Sequence, residues 1–328
     1  MPLVEFAGLK GRDNELITVA NSLSANKHTL IIGQAGYGKS TLLDYARLLA
    51  IDLRYPHATI GSGTAREALK DFARQCHEAF GLTITKKFFD DELPPQTKAR
   101  FEREGRLEWV DLNRPLGRLT IQGLKDILVF SFEHAPLNGA KKFIIFIESL
   151  KCPPTQATTY QEFFRYAQII STVDIADQYR AHLQPLVQNF QVVVELKPLA
   201  IEYCREIADA WLQYHPEVTF ENKKVRDTYI RHIAHDSNGV PIAIEHMLES
   251  AKNEEIITRS SVKQFEHEAG VRYVSMLPFL VIISAIFMAM KYIGRGLNDA
   301  ELVIFGSMGS VVFFLLLFFG RKLEAKQK

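Results

Sequence analysis

Cysteine is scarce in this chain of 328 residues, which holds only Cys76, Cys152 and Cys204. The three lie far apart and form no CxxC or Cys/His ligand spacing. That pattern argues against a zinc knuckle and a disulfide framework, and points to small buried hydrophobes in a reducing compartment. Charge of one sign is lacking too: 39 Lys and Arg against 38 Asp and Glu leave a net charge of +1. A chain so balanced has no global basic field for nucleic acid, so any such contact is confined to a local patch. The opening Met1-Pro2-Leu3-Val4-Glu5 has no basic region leading into an apolar stretch, so no signal peptide is expected. Charge is wholly absent from two long runs, Tyr273 to Met290 and Leu302 to Gly320.

Each of these runs has about the length a helix needs to cross a hydrocarbon core of roughly 30 Å. Lys291 to Glu301, between them, carries the turn formers Gly294, Gly296 and Asn298, so a transmembrane helical hairpin is expected. Basic residues flank its outer ends: Lys263 and Arg272 on one side, the tail from Arg321 to Lys328 on the other. The turn offers only Lys291 and Arg295. That bias places both termini on the cytoplasmic side of the inner (plasma) membrane, with the bilayer as a partner. Ala285 with Ala289 and Gly306 with Ser310 put small residues four apart, the spacing of close helix packing in lipid within the hairpin or between subunits.

The most specific motif is Gly33-Gln34-Ala35-Gly36-Tyr37-Gly38-Lys39-Ser40, which matches the phosphate-loop pattern at every defined position. It follows the β-branched run Thr29-Leu30-Ile31-Ile32 and opens a helical stretch at Thr41, the strand, loop, helix context the chemistry needs. Glycines let backbone N–H groups converge on phosphates, Lys39 reaches the β and γ oxygens, and the Ser40 hydroxyl is placed to ligate Mg²⁺. The helix beginning there adds its positive dipole end.

Further along, Phe143-Ile144-Ile145-Phe146-Ile147-Glu148 reads as a buried parallel strand, entered through an Asn138-Gly139 turn, that delivers a carboxylate beside the phosphates. Ser149 follows where a second acid is usual. Either Glu148 holds the metal and the catalytic base is missing, or Glu148 is the base and Ile147 occupies the metal side. Both readings predict nucleotide binding with weakened hydrolysis. Ala167 to Val173 suits another strand with Ser171 or Thr172 at its tip as a γ-phosphate sensor. Arg180, on a helix expected from Ile175 to Phe190, is a finger toward a neighbour's nucleotide or a solvated arginine. Lys86 to Arg118, rich in charge and holding Pro94, Pro95 and Pro115, reads as a solvated surface insertion. His232 and His235 share a helix face but lack a third metal ligand.

Alternation of strands and helices argues an α/β fold, a mostly parallel sheet with helices on both faces, followed by a small helical lid. The expected division is 1–197 for the core, 198–270 for the lid and juxtamembrane segment, and 271–328 for the hairpin and basic tail.

The Gly11-Arg12-Asp13-Asn14-Glu15-Leu16 box, the phosphate loop, the strand ending at Glu148, the Lys197-Pro198-Leu199 junction and the Gly239-Val240-Pro241 turn together resemble the AAA+ and STAND group of P-loop ATPases. The likeness is strongest to its archaeal-ATPase-like, origin-recognition-like and transposition-regulator-like branches, and covers about residues 5 to 253. It implies ATP as the nucleotide, with Gly11 and Arg12 bordering the adenine and Pro241 bringing the lid onto the base from the other side. It also implies a switch between ADP and ATP states that assembles into a homo-oligomer. Here a membrane hairpin stands where a STAND sensor often carries repeats. An ATP-dependent membrane switch, such as a defence or signalling effector, is therefore expected, acting on the bilayer or on a membrane or cytoplasmic protein. A membrane-tethered motor or loader and a non-hydrolysing scaffold are the alternatives.

Overall fold

The computed structural model describes residues 9–134, 143–254, 256–264, 277–297, 299–301, 303–305 and 307–308. The chain divides into two units, Met1–Gly270 and Val271–Lys328.

In the first unit five strands form one parallel sheet: β1 (Thr29–Gly33), β2 (His57–Ile60), β3 (Ile144–Ile147), β4 (Gln168–Asp174) and β5 (Val192–Glu195), in the order β2-β3-β4-β1-β5. The central strands are short apolar runs buried along their length, as a parallel sheet covered on both faces requires. Their side chains alternate between two layers. Ile31, Ile144, Phe146 and Ile170 pack with α1 (Asp13–Ser24) and α2 (Lys39–Asp52). Leu30, Ile32, Ile145, Ile147 and Ile169 pack on the other side with α3 (Ala65–Phe80), α7 (Ile121–His134) and α8 (Pro154–Phe163).

The stretch expected to be a solvated insertion is instead three short helices, α4 (Lys86–Glu92), α5 (Pro95–Glu104) and α6 (Trp109–Leu116). Phe88, Leu93, Leu112 and Leu116 bury their side chains in the main core. Its prolines and charges serve helix starts: Pro95 takes the first position of α5, the Thr85 hydroxyl accepts from the Phe88 N–H at 3.2 Å, and Glu108 with Asp111 forms a capping box. The helix expected from Ile175 to Phe190 is also different. Single turns, Asp177 to Asp174 and then Arg180 to Asp177, lead into the short α9 (Gln184–Val187).

After β5 come α10 (Ile201–Tyr214), α11 (Lys223–Asp236) and α12 (Pro241–Ala251), with a core of their own around Trp211, Tyr229 and Met247. The Tyr229 hydroxyl donates to the Met247 carbonyl at 2.8 Å, and the Asn222 side chain caps α11 by accepting from the Val225 N–H at 3.0 Å.

The second unit contains α13 (Leu277–Leu297), which continues through Gly294 and Gly296, so the turn expected from Lys291 begins only beyond Leu297. Most side chains of both apolar runs, that of Ala285 among them, together with Gly306, Ser310 and the Asn138-Gly139 turn, lie outside the described residues. Among the described residues no helix is long and apolar enough to cross a membrane. The two transmembrane helices therefore rest on the sequence alone.

Candidate nucleotide-binding site

The loop between β1 and α2 turns on Gly36 and Gly38, whose φ angles of +82° and +87° lie where L side chains are strained. α2 opens at Lys39, so its first N–H groups face the loop without intrahelical partners. All three ammonium hydrogens of Lys39 are engaged: Nζ donates to the Gly33 carbonyl at 3.0 Å, to the Gln34 carbonyl at 2.8 Å and to Asp174 Oδ1 at 2.6 Å. The Ser40 hydroxyl has no hydrogen-bond partner among the described residues, so both lone pairs remain for a metal. Gln34 and Ala35 form the exposed shoulder of the loop.

Gly36 to Thr41 line a cavity of about 300 Å³. Leu9, Lys10 and Arg12 close it from the N-terminal side, and Pro241, Ile242 and Glu245 from the start of α12. The loop and α12 touch directly. The Ile242 N–H donates to the Gly36 carbonyl at 3.4 Å, and a Cβ on Gly36 would stand 2.5 Å from Ile242 Cγ2. The turn into α12 is clamped in its own right: Gly239, at φ +74°, accepts from the Leu199 N–H at 2.8 Å, and a Cβ there would meet the Leu199 carbonyl oxygen at 2.4 Å. Gly11, also at positive φ, lies under the Tyr203 ring of α10.

Arg12 is buried although charged. Its guanidinium donates to Glu15 Oε1 at 3.1 Å, to the Tyr37 carbonyl at 3.3 Å and to the Lys197 carbonyl at 2.7 Å. One side chain thus joins the N-terminal box, the phosphate loop and the junction that leads to α10. Its donors are spent on protein, so it shapes the cavity wall by holding these segments together.

Sequence reading put the tip of β4 at Ser171 or Thr172. The strand runs on to Asp174, which stands opposite Gly33 in the register. The two hydroxyls are buried and bind neighbouring β3: Ser171 Oγ donates to the Ile147 carbonyl at 2.9 Å and Thr172 Oγ1 to the Glu148 carbonyl. Asp174, which sequence reasoning missed, is the polar residue that meets the loop. The signal was there in Gln168-Ile169-Ile170-Ser171-Thr172-Val173-Asp174, whose last residue is its only acid.

Glu148 follows β3 on the same C-terminal edge of the sheet, with β4 between it and β1. Its Oε2 accepts from the Ser62 N–H at 2.8 Å, so the carboxylate leans toward the turn after β2 and is not among the cavity's lining residues. Ser149 supplies no acid and accepts from the Lys151 N–H at 3.1 Å. Arg180 is exposed and pairs with Asp177 at 2.6 Å. His232 and His235 both face Asp236, and no cluster able to hold a metal exists among the described residues. All three cysteines are free, Cys76 and Cys204 buried; burial pushes the Cys152 thiol up to about 11 and raises the other two.

No protein-family model and no curated protein sequence matches this chain. Among solved structures, it is similar to the Orc1 protein of Aeropyrum pernix in complex with DNA, at 14% identity over 88% of this chain and 72% of that one, with a TM-score of 0.46. It is also similar to the RuvB Holliday junction branch migration motor of Thermotoga maritima, at 14% identity over 80% of this chain and 70% of that one, with a TM-score of 0.42. At such identities and superpositions no residue role passes from those proteins to this one.

Proposed function

We propose that this chain is an ATP-dependent switch of the AAA+/STAND kind, in which nucleotide at the phosphate loop repositions the lid. The observation that carries this reading is the shared wall of the cavity, where loop and lid meet through Gly36 and Ile242. The donor set fits a magnesium nucleotide: an ammonium, the N–H groups at the start of α2, and a free Ser40 hydroxyl. ATP bound with Mg²⁺ supplies the phosphate charge that this loop neutralises and the bond whose cleavage resets the head.

Lys39 turns from Asp174 and the loop carbonyls toward phosphate. Asp174 is thereby released, and Ser40 and Glu148 are the residues that would hold the metal, Glu148 after leaving the Ser62 N–H. Any change in the loop at Gly36 is felt at once by the N-terminus of α12, while Arg12 keeps loop and lid junction in register. Ser149 in place of a second acid supports slow turnover.

Membrane action through the C-terminal unit belongs to the same reading. It is supported by the two uncharged runs and by the exposure of Ile286, Met288, Ile293, Ile304 and Phe305. Assembly of heads into a homo-oligomer, with the exposed Arg180 as a contact in trans, is its natural output.

The test is steady-state ATP hydrolysis by the detergent-purified full-length chain beside Lys39→Ala and Glu148→Gln, with oligomer mass recorded with and without nucleotide. Nucleotide-dependent assembly with turnover well below about 1 s⁻¹, both lost in Lys39→Ala, is the expected result. Turnover at or above that rate which requires Glu148 makes the protein a motor, and assembly indifferent to nucleotide leaves a scaffold.

A further inference from the structure

The lid holds a second concavity, of about 730 Å³, that shares no residue with the nucleotide cavity. Lys224, Thr228, Arg231, His232 and His235 recur along one face of α11 and form its floor. Arg205 enters from α10 and Arg259 from the segment beyond α12. That segment is pinned in place: the Ile257 N–H donates to the Thr219 carbonyl at 2.9 Å, the Glu221 N–H donates to the Ile257 carbonyl at 3.1 Å, and Thr258 and Ser261 close a turn on each other. The fold thus brings cations from three separate stretches of chain to one hollow.

Their charge is unspent. Arg205, Lys224 and Arg259 have no ion-pair or hydrogen-bond partner among the described residues, and Arg231 donates only to the Asp227 carbonyl and the Thr228 hydroxyl. Arg226, on the same helix but outside the hollow, is paired with Asp209 at 2.5 Å. Four fixed cations face two carboxylates, Glu221 and Asp236, and Asp236 already accepts from His235 Nδ1 at 2.6 Å and lies 3.0 Å from His232 Nδ1. The Nε2 of His232 is buried without a hydrogen-bond partner among the described residues.

We infer that this hollow is a binding site for a phosphate-bearing anion, a phosphomonoester or diphosphate group presented by a free small molecule or by a lipid headgroup. Arginine forks match phosphate oxygens two at a time, and a local hollow suits one such group, whereas duplex nucleic acid needs a basic stripe.

The experiment uses the full-length chain carrying Lys39→Ala, so that the phosphate loop lacks its ammonium and failure of the nucleotide reading is separable. Inorganic pyrophosphate is titrated by calorimetry into this protein and into the same protein with Arg205→Gln and Arg259→Gln. Two charge-assisted contacts are removed, so affinity falls at least about tenfold while the melting temperature holds. If that pair fails to fold, Lys224→Gln with Arg231→Gln replaces it. Repeating the titration in phosphatidylcholine nanodiscs with and without phosphatidate assigns the source: competition by phosphatidate means a lipid headgroup, and its absence a soluble anion. Pyrophosphate that does not bind, or that binds equally well after either pair of substitutions, overturns the site.

Discussion

Lys39 is a tightly engaged side chain of the candidate site. Its ammonium is shared between two loop carbonyls and Asp174, and Asp174 is part-exposed, so the pair is screened and of modest strength. A phosphate must displace that carboxylate and tolerate its charge nearby. Asp174→Asn therefore tightens Mg²⁺-free ATP binding by about two- to fivefold, read by calorimetry at fixed salt. Weaker binding in this variant would mean that Asp174 helps to hold the nucleotide. The glycines separate backbone strain from collision. Gly38 is left-handed but a Cβ there meets nothing within 4 Å, whereas at Gly239 it meets Leu199 backbone at 2.4 Å. Gly38→Ala costs about 1–2 kcal/mol from φ alone, and Gly239→Ala costs more because the backbone itself must move. Equal losses of stability in urea titrations would show that the Gly239 turn gives way freely.

Between elements, polar links such as Lys10 to Glu206, Lys125 to Glu162 and the Arg12 fork tie the head together. Arg12 reaches three segments with one planar fork, and Lys in its place has one nitrogen with which to do so. Arg12→Lys is expected to cost about 1–3 kcal/mol of stability, because a partly buried carbonyl loses its charged donor, and to weaken ATP binding through the displaced loop. An unchanged melting curve and unchanged affinity would remove Arg12 from its joining role. Residues 86–118 are a case where local composition and packing diverge. Charge density and prolines across 86–118 look like solvent exposure in one dimension, but the prolines begin helices and the few aromatic and aliphatic residues between them reach the core of the sheet.

At the scale of the whole chain, two units of different character are joined in series, a head carrying the phosphate-loop motif and an apolar C-terminal unit. In the switch reading, ending the chain at Gly270 leaves ATP affinity within about twofold of the full-length value, because every lining residue of the cavity precedes that point, and abolishes membrane association. Flotation with lipid vesicles checks the second outcome. A truncated chain that still floats would place the membrane contact in the head.

The sequence by itself determined the phosphate loop, the parallel strands and the chain order of core and lid, because each depends on local rules: glycines where φ must be positive, β-branched runs where both faces are buried, polar caps where helices begin. It also determined that the two C-terminal runs are uncharged. Tertiary structure decided what contacts along the chain cannot express. It chose Asp174 over Ser171 and Thr172 as the residue facing Lys39, since the register of β4 against β1 and β3 sets which side chain ends at the loop. It turned Glu148 toward Ser62, joined Gly36 to Ile242 across some two hundred residues, and gathered Arg205, Lys224, Arg231 and Arg259 into one hollow. These are long-range juxtapositions, fixed by how a sheet and a helical lid pack, and no periodicity in the chain encodes them singly.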